Sequence, residues 1–271
     1  MFGLHLQPET LRQIIHLAAE GAGVRATVRL LEVEKDTVNR VILRAGVHCA
    51  KVFSELLTSL EMTEVQLDEL WTFIKKEKFR QFRRPQKPLR PSMDLAGHRR
   101  PTLLLITFWI GGCEFEDARQ MLKDLTDRLI AKPLFVSDEL SHYRTVLGEL
   151  FHELVPQAPT DKPERPRNPE RVIDTDLDYA AVHKTRQGAK VIKLERKVGH
   201  GSGRSILTRL ANSPSHSVKT AYIERSNLDW RLWDAHLTRK ATTVARSMRW
   251  LKAKFATCVA CYNLMWPYET T

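Results

Sequence analysis

No run of eighteen or more apolar residues occurs in this chain of 271 residues, so no membrane-crossing helix is expected. The opening Met1-Phe2-Gly3-Leu4-His5 lacks a basic segment followed by an apolar one, and no secretory signal is expected either. Cysteine is scarce. Cys49, Cys113, Cys258 and Cys261 are too few and too scattered for a disulfide framework and fit free thiols in a reducing compartment. The spacing Cys258-x-x-Cys261 has no second pair and lies in an apolar stretch, so it reads as buried thiols rather than a zinc or redox centre. The phosphate-loop lysine is missing from Gly199-His200-Gly201-Ser202-Gly203, which excludes a nucleotide-loop reading of that glycine cluster. Negative charge is in deficit: 32 Asp and Glu face 43 Lys and Arg, a net +11. An excess of this size implies a polyanionic partner, of which nucleic acid is the commonest. The length allows one large domain or two modest ones.

Three short runs place carboxylates where metal-dependent phosphoryl transfer would need them. They are Val65-Gln66-Leu67-Asp68-Glu69-Leu70-Trp71, Pro133-Leu134-Phe135-Val136-Ser137-Asp138 and Tyr222-Ile223-Glu224-Arg225-Ser226-Asn227-Leu228. Asp68 lies within an alternating apolar stretch that reads as a strand, and a charge there is costly unless paired or metal-bound. Asp138 ends a short apolar run, as at a strand terminus, and Glu224 opens a basic stretch of helical character. Glu69 and Glu139 are neighbours rather than ligands, since side chains alternate along a strand. Two carboxylates from strands and one from a helix can hold two Mg²⁺ ions, which at a separation of roughly 3.5–4 Å serve both oxygens of an in-line displacement. Any one of these acids alone is ordinarily a solvated charge or a cap, and spacing would not select them from 32 acidic residues; their flanking residues do.

Those flanks carry a resemblance. Val65-Gln66-Leu67-Asp68-Glu69-Leu70-Trp71-Thr72-Phe73 is similar to the "VQxDExWSF" run of DDE transposases with an RNase H-like core, in the group typified by the smallest bacterial insertion sequences. Val136-Ser137-Asp138 ahead of His142-Tyr143 resembles the second signature. Tyr222 to Arg231, followed by Leu237-Thr238-Arg239-Lys240-Ala241-Thr242, resembles "YVERxNLTxR" and the basic run after it. Ala45-Gly46-Val47-His48-Cys49-Ala50 resembles the family's link between DNA-binding helices and core, and the likeness runs from about Val24 to about Tyr262.

The resemblance implies an α/β fold: an N-terminal helix-turn-helix and linker helix (1–60), then an RNase H-like mixed-sheet catalytic core (61–271) with a Pro-rich insertion near 156–170 and a C-terminal helix. It implies Asp68, Asp138 and Glu224 as catalytic metal ligands for Mg²⁺ or Mn²⁺, two ions in number, with no zinc. Its partners would be terminal inverted repeats and target DNA, bound by a homodimer or higher assembly in the bacterial cytoplasm, associated with the nucleoid and not with membrane. Arg225, Asn227, Arg231, Arg239 and Lys240 would contact DNA beside the acids, as would Arg246 and Arg249. Two departures stand out. No Cys-rich zinc ribbon precedes the helices, and the chain stops at Trp266-Pro267-Tyr268-Glu269-Thr270-Thr271 where relatives often continue. A non-catalytic DNA-binding derivative and a structure-directed nuclease are the rival readings.

Periodicity predicts helices over 8–20, 25–31 and 35–45, sharing Val28, Leu31, Val33, Val38 and Ile42 as a small core. Asp36 or its neighbour is expected to cap the third, with Lys35, Thr37, Asn39, Arg40 and Arg44 placed to meet DNA. Glu32 stands where a turn would favour glycine. Further on, a first strand is expected over 66–74 and a proline-broken basic loop over 75–100 with a short strand near Met93-Asp94-Leu95. A buried central strand is expected over 102–110, helices over 115–131 and 142–154, and a flexible loop over 156–169. A basic hairpin turns at Gln187-Gly188, a helix spans 220–233, and an amphipathic helix spans 246–262.

Overall fold

The computed structural model describes residues 6–72, 87–95, 103–111, 114–138, 141–157, 168–188, 190–238, 245 and 247–265. Three helices come first, α1 (Pro8–Ala19), α2 (Val24–Leu31) and α3 (Lys35–Leu56). Pro8 suits the start of α1, where its fixed φ is helical and no N–H is left unpaired. Ile14, Ala18, Val38, Val41 and Ile42 are buried at the centre, with Val28, Leu31 and Val33 packed around them. Glu32 closes α2 in the left-handed conformation (φ 54°, ψ 36°). A side chain there costs about 1–2 kcal/mol, offset by the apolar residues on both sides of the turn. Asp36 is not the cap of α3. Glu34 holds that position without a side-chain hydrogen bond, and Asp36 lies in the first turn, where its charge meets the positive helix end.

The sheet is mixed. β1 (Glu64–Leu67), β2 (Leu70–Thr72), β3 (Lys87–Leu95) and β4 (Leu105–Ile110) precede α4 (Phe115–Asp127), β5 (Leu134–Asp138) and α5 (Ser141–Leu150). β6 (His152–Val155) and β7 (Glu170–Ile173) form a separate pair, followed by β8 (Tyr179–Gln187), β9 (Lys190–His200), α6 (Gly203–Ala211), α7 (Ala221–Trp233) and α8 (Met248–Leu264). The strand order is β2-β3-β1-β5-β8-β9, with β4 on β3; β1, β5 and β8 run parallel and the rest antiparallel. Val65, Leu67 and Phe135 face α4 and α5, whereas Leu134, Val136, Ala180 and Val182 face α6. Among the described residues no helix is long and apolar enough to cross a membrane.

Several expectations are corrected by tertiary context. The single strand over 66–74 is two, broken at Asp68-Glu69. Leu67 pairs Ser92 and Leu70 pairs Leu89, so the same register sets Asp68 opposite Pro91, which has no N–H for the ladder. The expected proline-broken loop contains β3, nine residues long despite Pro88 and Pro91; residues 73–86 and 96–102 lie outside the described residues. β4 pairs β3 alone among the described strands, so it is an edge strand. Its apolar run reports burial of its faces beneath α4 and α8, not a central place in the ladder. The expected helix to residue 154 ends at Leu150, because 152–155 pair with β7 across the Pro-rich segment, of which 158–167 lie outside the described residues. Helix α6 was not expected; Ser202 caps it by accepting from the Ser205 N–H, and Ile206 and Leu210 anchor it four residues apart.

α8 is not amphipathic. Leu251, Phe255 and Val259 face the sheet side, while Ala253, Lys254, Ala256 and Thr257 are equally buried. It is sandwiched between the sheet and the N-terminal helices. At its contact with α3 a Cβ on Gly46 would lie 2.2 Å from the Ala253 carbonyl oxygen, so only glycine lets the two backbones meet. This packing carries α3 past its expected end to a length of 22 residues.

Candidate active site

Three neighbouring parallel strands bring polar side chains to their shared carboxyl edge, the edge where open α/β sheets bind ligands. Asp68 follows the last residue of β1, Asp138 is the last of β5, and Lys184 lies two residues beyond the last β8 residue paired with β5. Leu67 pairs Ser137, so the continued register sets Asp68 beside Asp138, roughly 4.8 Å apart across the sheet. Glu224 enters from the first turn of α7, where a carboxylate is favoured by the helix dipole.

Asp68 is half-buried. Its Oδ1 accepts from the Glu69 N–H (2.8 Å) and its Oδ2 from Asn227 Nδ2 (2.6 Å). No cationic side chain pairs with it among the described residues. Burial above all, then the charge of Asp138 with smaller contributions from Glu69 and Glu224, pushes its pKa up to about 7 against the pull of the Glu69 N–H. Asp138 and Glu224 are compensated differently. Lys184 Nζ donates to Glu224 Oε1, to Thr220 Oγ1 (2.9 Å) and, more distantly, to Asp138 Oδ1 (3.5 Å). Thr220 Oγ1 lies 3.1 Å from Asp138 Oδ1 and 2.5 Å from Glu224 Oε1.

A buried polar network sets α7 against β1. Both Glu64 and Gln66 are fully buried on the face of β1 away from Val65 and Leu67. Gln66 Nε2 donates to the Lys219 carbonyl (2.7 Å) and to Glu64 Oε1 (2.9 Å), and Gln66 Oε1 accepts from the Ile223 N–H (3.2 Å). Glu64 Oε2 accepts from Ser213 and Ser215. Gln66 thus fixes the backbone one residue before Glu224. Elsewhere, the buried Lys254 pairs Asp234 at 2.8 Å with both side chains 2% exposed.

Of the residues expected to meet DNA, Arg225 is exposed beside Glu224 and Arg231 is half-buried. Asn227 is only 2% exposed, which corrects its expected role at DNA: its amide points inward at Asp68, and its Oδ1 is buried without a hydrogen-bond partner. Arg239, Lys240 and Arg246 lie outside the described residues. On α3, Arg40 and Arg44 are exposed, and Arg40 donates to Thr37 Oγ1 (3.3 Å). At 100° per residue, Thr37 and Asn39 fall at opposite margins of that exposed face, both half-buried, so Asn39 does not share one face with Thr37, Arg40 and Arg44. Lys35 is exposed at the first helical residue.

No protein-family model and no curated protein matches the chain. Among solved structures it is similar to the crystal structure of the Mos1 strand transfer complex, at 17% identity and a TM-score of 0.22. That overlap covers 55% of this chain and 59% of the other, so the chain spans under two thirds of its neighbour. A score of this size assigns neither fold nor function.

The donor chemistry suits a hard divalent cation. The three carboxylates are oxygen donors of the kind Mg²⁺ and Mn²⁺ prefer. Their present arrangement is not a finished cage: among the described residues no group of three or more His, Cys, Asp or Glu is set to hold a metal ion. The thiols are poor candidates for such chemistry. Burial pushes Cys258 up to about 12 and Cys261 up to about 11, so both stay protonated.

Sequence reading placed Lys184 among the basic residues of the hairpin, open between solvent and DNA, and missed both its place at the acids and the buried role of Gln66. A lysine just past an apolar strand segment, Tyr179 to Val182, was the available signal for the first. Nothing local marks the second.

Proposed function

We propose that this chain is the DDE-type DNA transposase of an insertion sequence, with an RNase H-like core and a helix-turn-helix built from α2 and α3. It binds terminal inverted repeats, hydrolyses the phosphodiester at each element end and joins the freed 3′-OH to target DNA. What carries the proposal is the meeting of Asp68, Asp138 and Glu224, drawn from three distant segments, at one carboxyl edge, close enough for their charges to act on Asp68. Asp68, Asp138 and Glu224 would hold Mg²⁺ or Mn²⁺, two ions in number, which when bound activate the attacking oxygen and stabilise the leaving one. Asn227 orients Asp68, Gln66 and Thr220 orient Glu224, and Arg225 and Arg231 contact the phosphodiester backbone. Arg40 and Arg44 face the major groove, where arginine reads guanine or binds phosphate. Two DNA ends call for at least a homodimer, and the work belongs to the bacterial cytoplasm, on the nucleoid.

The test is strand transfer. Pre-cleaved terminal-repeat DNA, taken from the inverted repeats flanking the coding region, should be joined to a second duplex with Mg²⁺ or Mn²⁺ and bound but poorly joined with Ca²⁺. Asp68→Asn, Asp138→Asn and Glu224→Gln should each cut joining by at least about a hundredfold, leaving end binding intact. Binding and assembly without joining would indicate the non-catalytic derivative, and cutting without joining the nuclease.

A further inference from the structure

We propose that Lys184 is the resident counter-cation of the carboxylate centre, holding Asp138 and Glu224 while no divalent ion is bound and competing with such an ion for their oxygens. This rests on the metal-centre reading above and adds a residue that the acidic signatures do not contain.

Position is the first observation. Lys184 rises from β8, the strand beside Asp138, past the point where β8 stops pairing with β5. Its side chain is 15% exposed, while those of Asp138 and Glu224 are 41% and 40% exposed. The ammonium is therefore tucked beneath the carboxylates, whose outer sides stay open to water and to a hydrated ion.

Saturation is the second. An ammonium has three donors, and Asp138 Oδ1, Thr220 Oγ1 and Glu224 Oε1 use all three. Two of those acceptors are the oxygens a cation would take. One bound point charge cannot donate to them and leave them free as ligands, so a metal must displace it or share them.

Stoichiometry is the third. One ammonium stands among three acids and donates to two of them, while Asp68 has only an amide and a backbone N–H. Elsewhere in the core, Lys254 and Asp234 meet one to one and are closed to solvent. Lys184 instead leaves the cluster with surplus negative charge, which a divalent cation complements. Removing the ammonium should then tighten divalent binding, the reverse of what loss of a ligand or of a supporting contact would do.

The experiment is a Mn²⁺ titration of the full chain without DNA, followed by the electron paramagnetic resonance of free Mn²⁺. Wild type, Lys184→Met and Lys184→Arg are compared, with Lys184→Met/Asp138→Asn to locate the ion. Lys184→Met should bind Mn²⁺ at least about tenfold more tightly than wild type. Lys184→Arg, which keeps the charge, should not, and the double variant should lose the gain. Equal or weaker binding by Lys184→Met, or a gain that survives Asp138→Asn, overturns the assignment of Lys184 and leaves the metal centre standing. Saturable binding by none of the proteins overturns the metal-centre reading and this proposal with it. Should Lys184→Met fail to fold, the ¹⁵Nζ resonance of Lys184 in lysine-labelled wild type, assigned through Lys184→Arg, gives the answer: it should shift as Mg²⁺ saturates the site, and a resonance that stays fixed at saturation overturns the proposal.

Discussion

Lys254 and Lys184 both meet carboxylates, and they do so on opposite terms. Lys254 of α8 faces Asp234 in a place closed to water, with His236 Nδ1 on the same oxygen at 2.9 Å and the Trp250 ring 5.8 Å from the ammonium. Burial alone would raise the Asp234 pKa, but hydrogen bonds from His236 and the charge of Lys254 outweigh it and hold that carboxyl below its ordinary value. Lys184 of β8 faces two half-open carboxylates and leaves a third with its pKa raised. The first arrangement is matched in charge on Asp234 Oδ1, although Oδ2 is buried without a hydrogen-bond partner, and replacing either member strands a buried charge. The second is incomplete in charge and open to solvent, as a centre awaiting a cation would be. Matching, more than burial, separates the closed pair from the cluster proposed to be functional.

The comparison can be broken most sharply through stability. Lys254→Met should cost about 3–5 kcal/mol in urea denaturation, because Asp234 is left charged and buried. Lys184→Met should cost less than about 1 kcal/mol, since its partners can rehydrate. Similar losses would erase the distinction drawn here.

A pH series sharpens it further. Asp68 in the folded chain titrates near 7, above the unfolded carboxyl at 3.8, so the folded state holds the extra proton between those values. Its contribution to stability is present below about pH 4 and lost as pH rises through 7. Relative to Asp68→Asn, metal-free wild type should therefore lose about 2 kcal/mol between pH 4 and 8, after allowance for screening. Saturating Mg²⁺ should reduce that loss by favouring the ionised carboxylate. Asp234 has the opposite sign: its lowered pKa gives stability that disappears in acid. Parallel curves for wild type and Asp68→Asn would show that the Asp68 carboxyl is not raised.

A further small effect concerns Thr220. Thr220→Val keeps the shape and removes the hydroxyl shared by Lys184, Asp138 and Glu224, which should cost about 1 kcal/mol in the same denaturation assay. A loss as large as that of Lys254→Met would mean that this hydroxyl, and not the ammonium, holds the cluster.

Much of this architecture is legible in the sequence where the signal is local. The N-terminal helices, the hairpin at Gln187-Gly188 and the helix carrying Glu224 follow from periodicity and turn residues, whereas the three carboxylate runs are picked out by the resemblance that their flanking residues carry. Illegible features depend on partners far along the chain. Lys184 is 40 residues from Glu224, and Gln66 is 157 from the N–H it accepts. Glu64 and Gln66 look like the wet side of a half-exposed strand, yet serines and backbone groups from the 213–223 segment bury them. The break at Asp68 needs a proline on another strand, and the edge position of β4 needs the whole sheet order. Similarly, α8 is apolar on more than one side because helices cover it from two directions, which its own periodicity does not record.

One feature of α3 sets a length scale. Its 22 residues make an unbroken rod of about 33 Å, with Arg40 and Arg44 exposed along its first half and Gly46 and Phe53 clamped in the second. Under the proposed function, and with no hinge in the helix, a duplex gripped at Arg40 and Arg44 would be held in fixed phase with the sheet edge that carries Asp68 and Asp138, and the protein would act as a gauge. Each base pair inserted between the gripped bases and the bond to be broken advances that bond by about 3.4 Å and rotates it by about a tenth of a turn. A rod clamped in this way cannot follow such a change by bending, so the distance from terminal repeat to cut would be measured by the protein and not by the DNA.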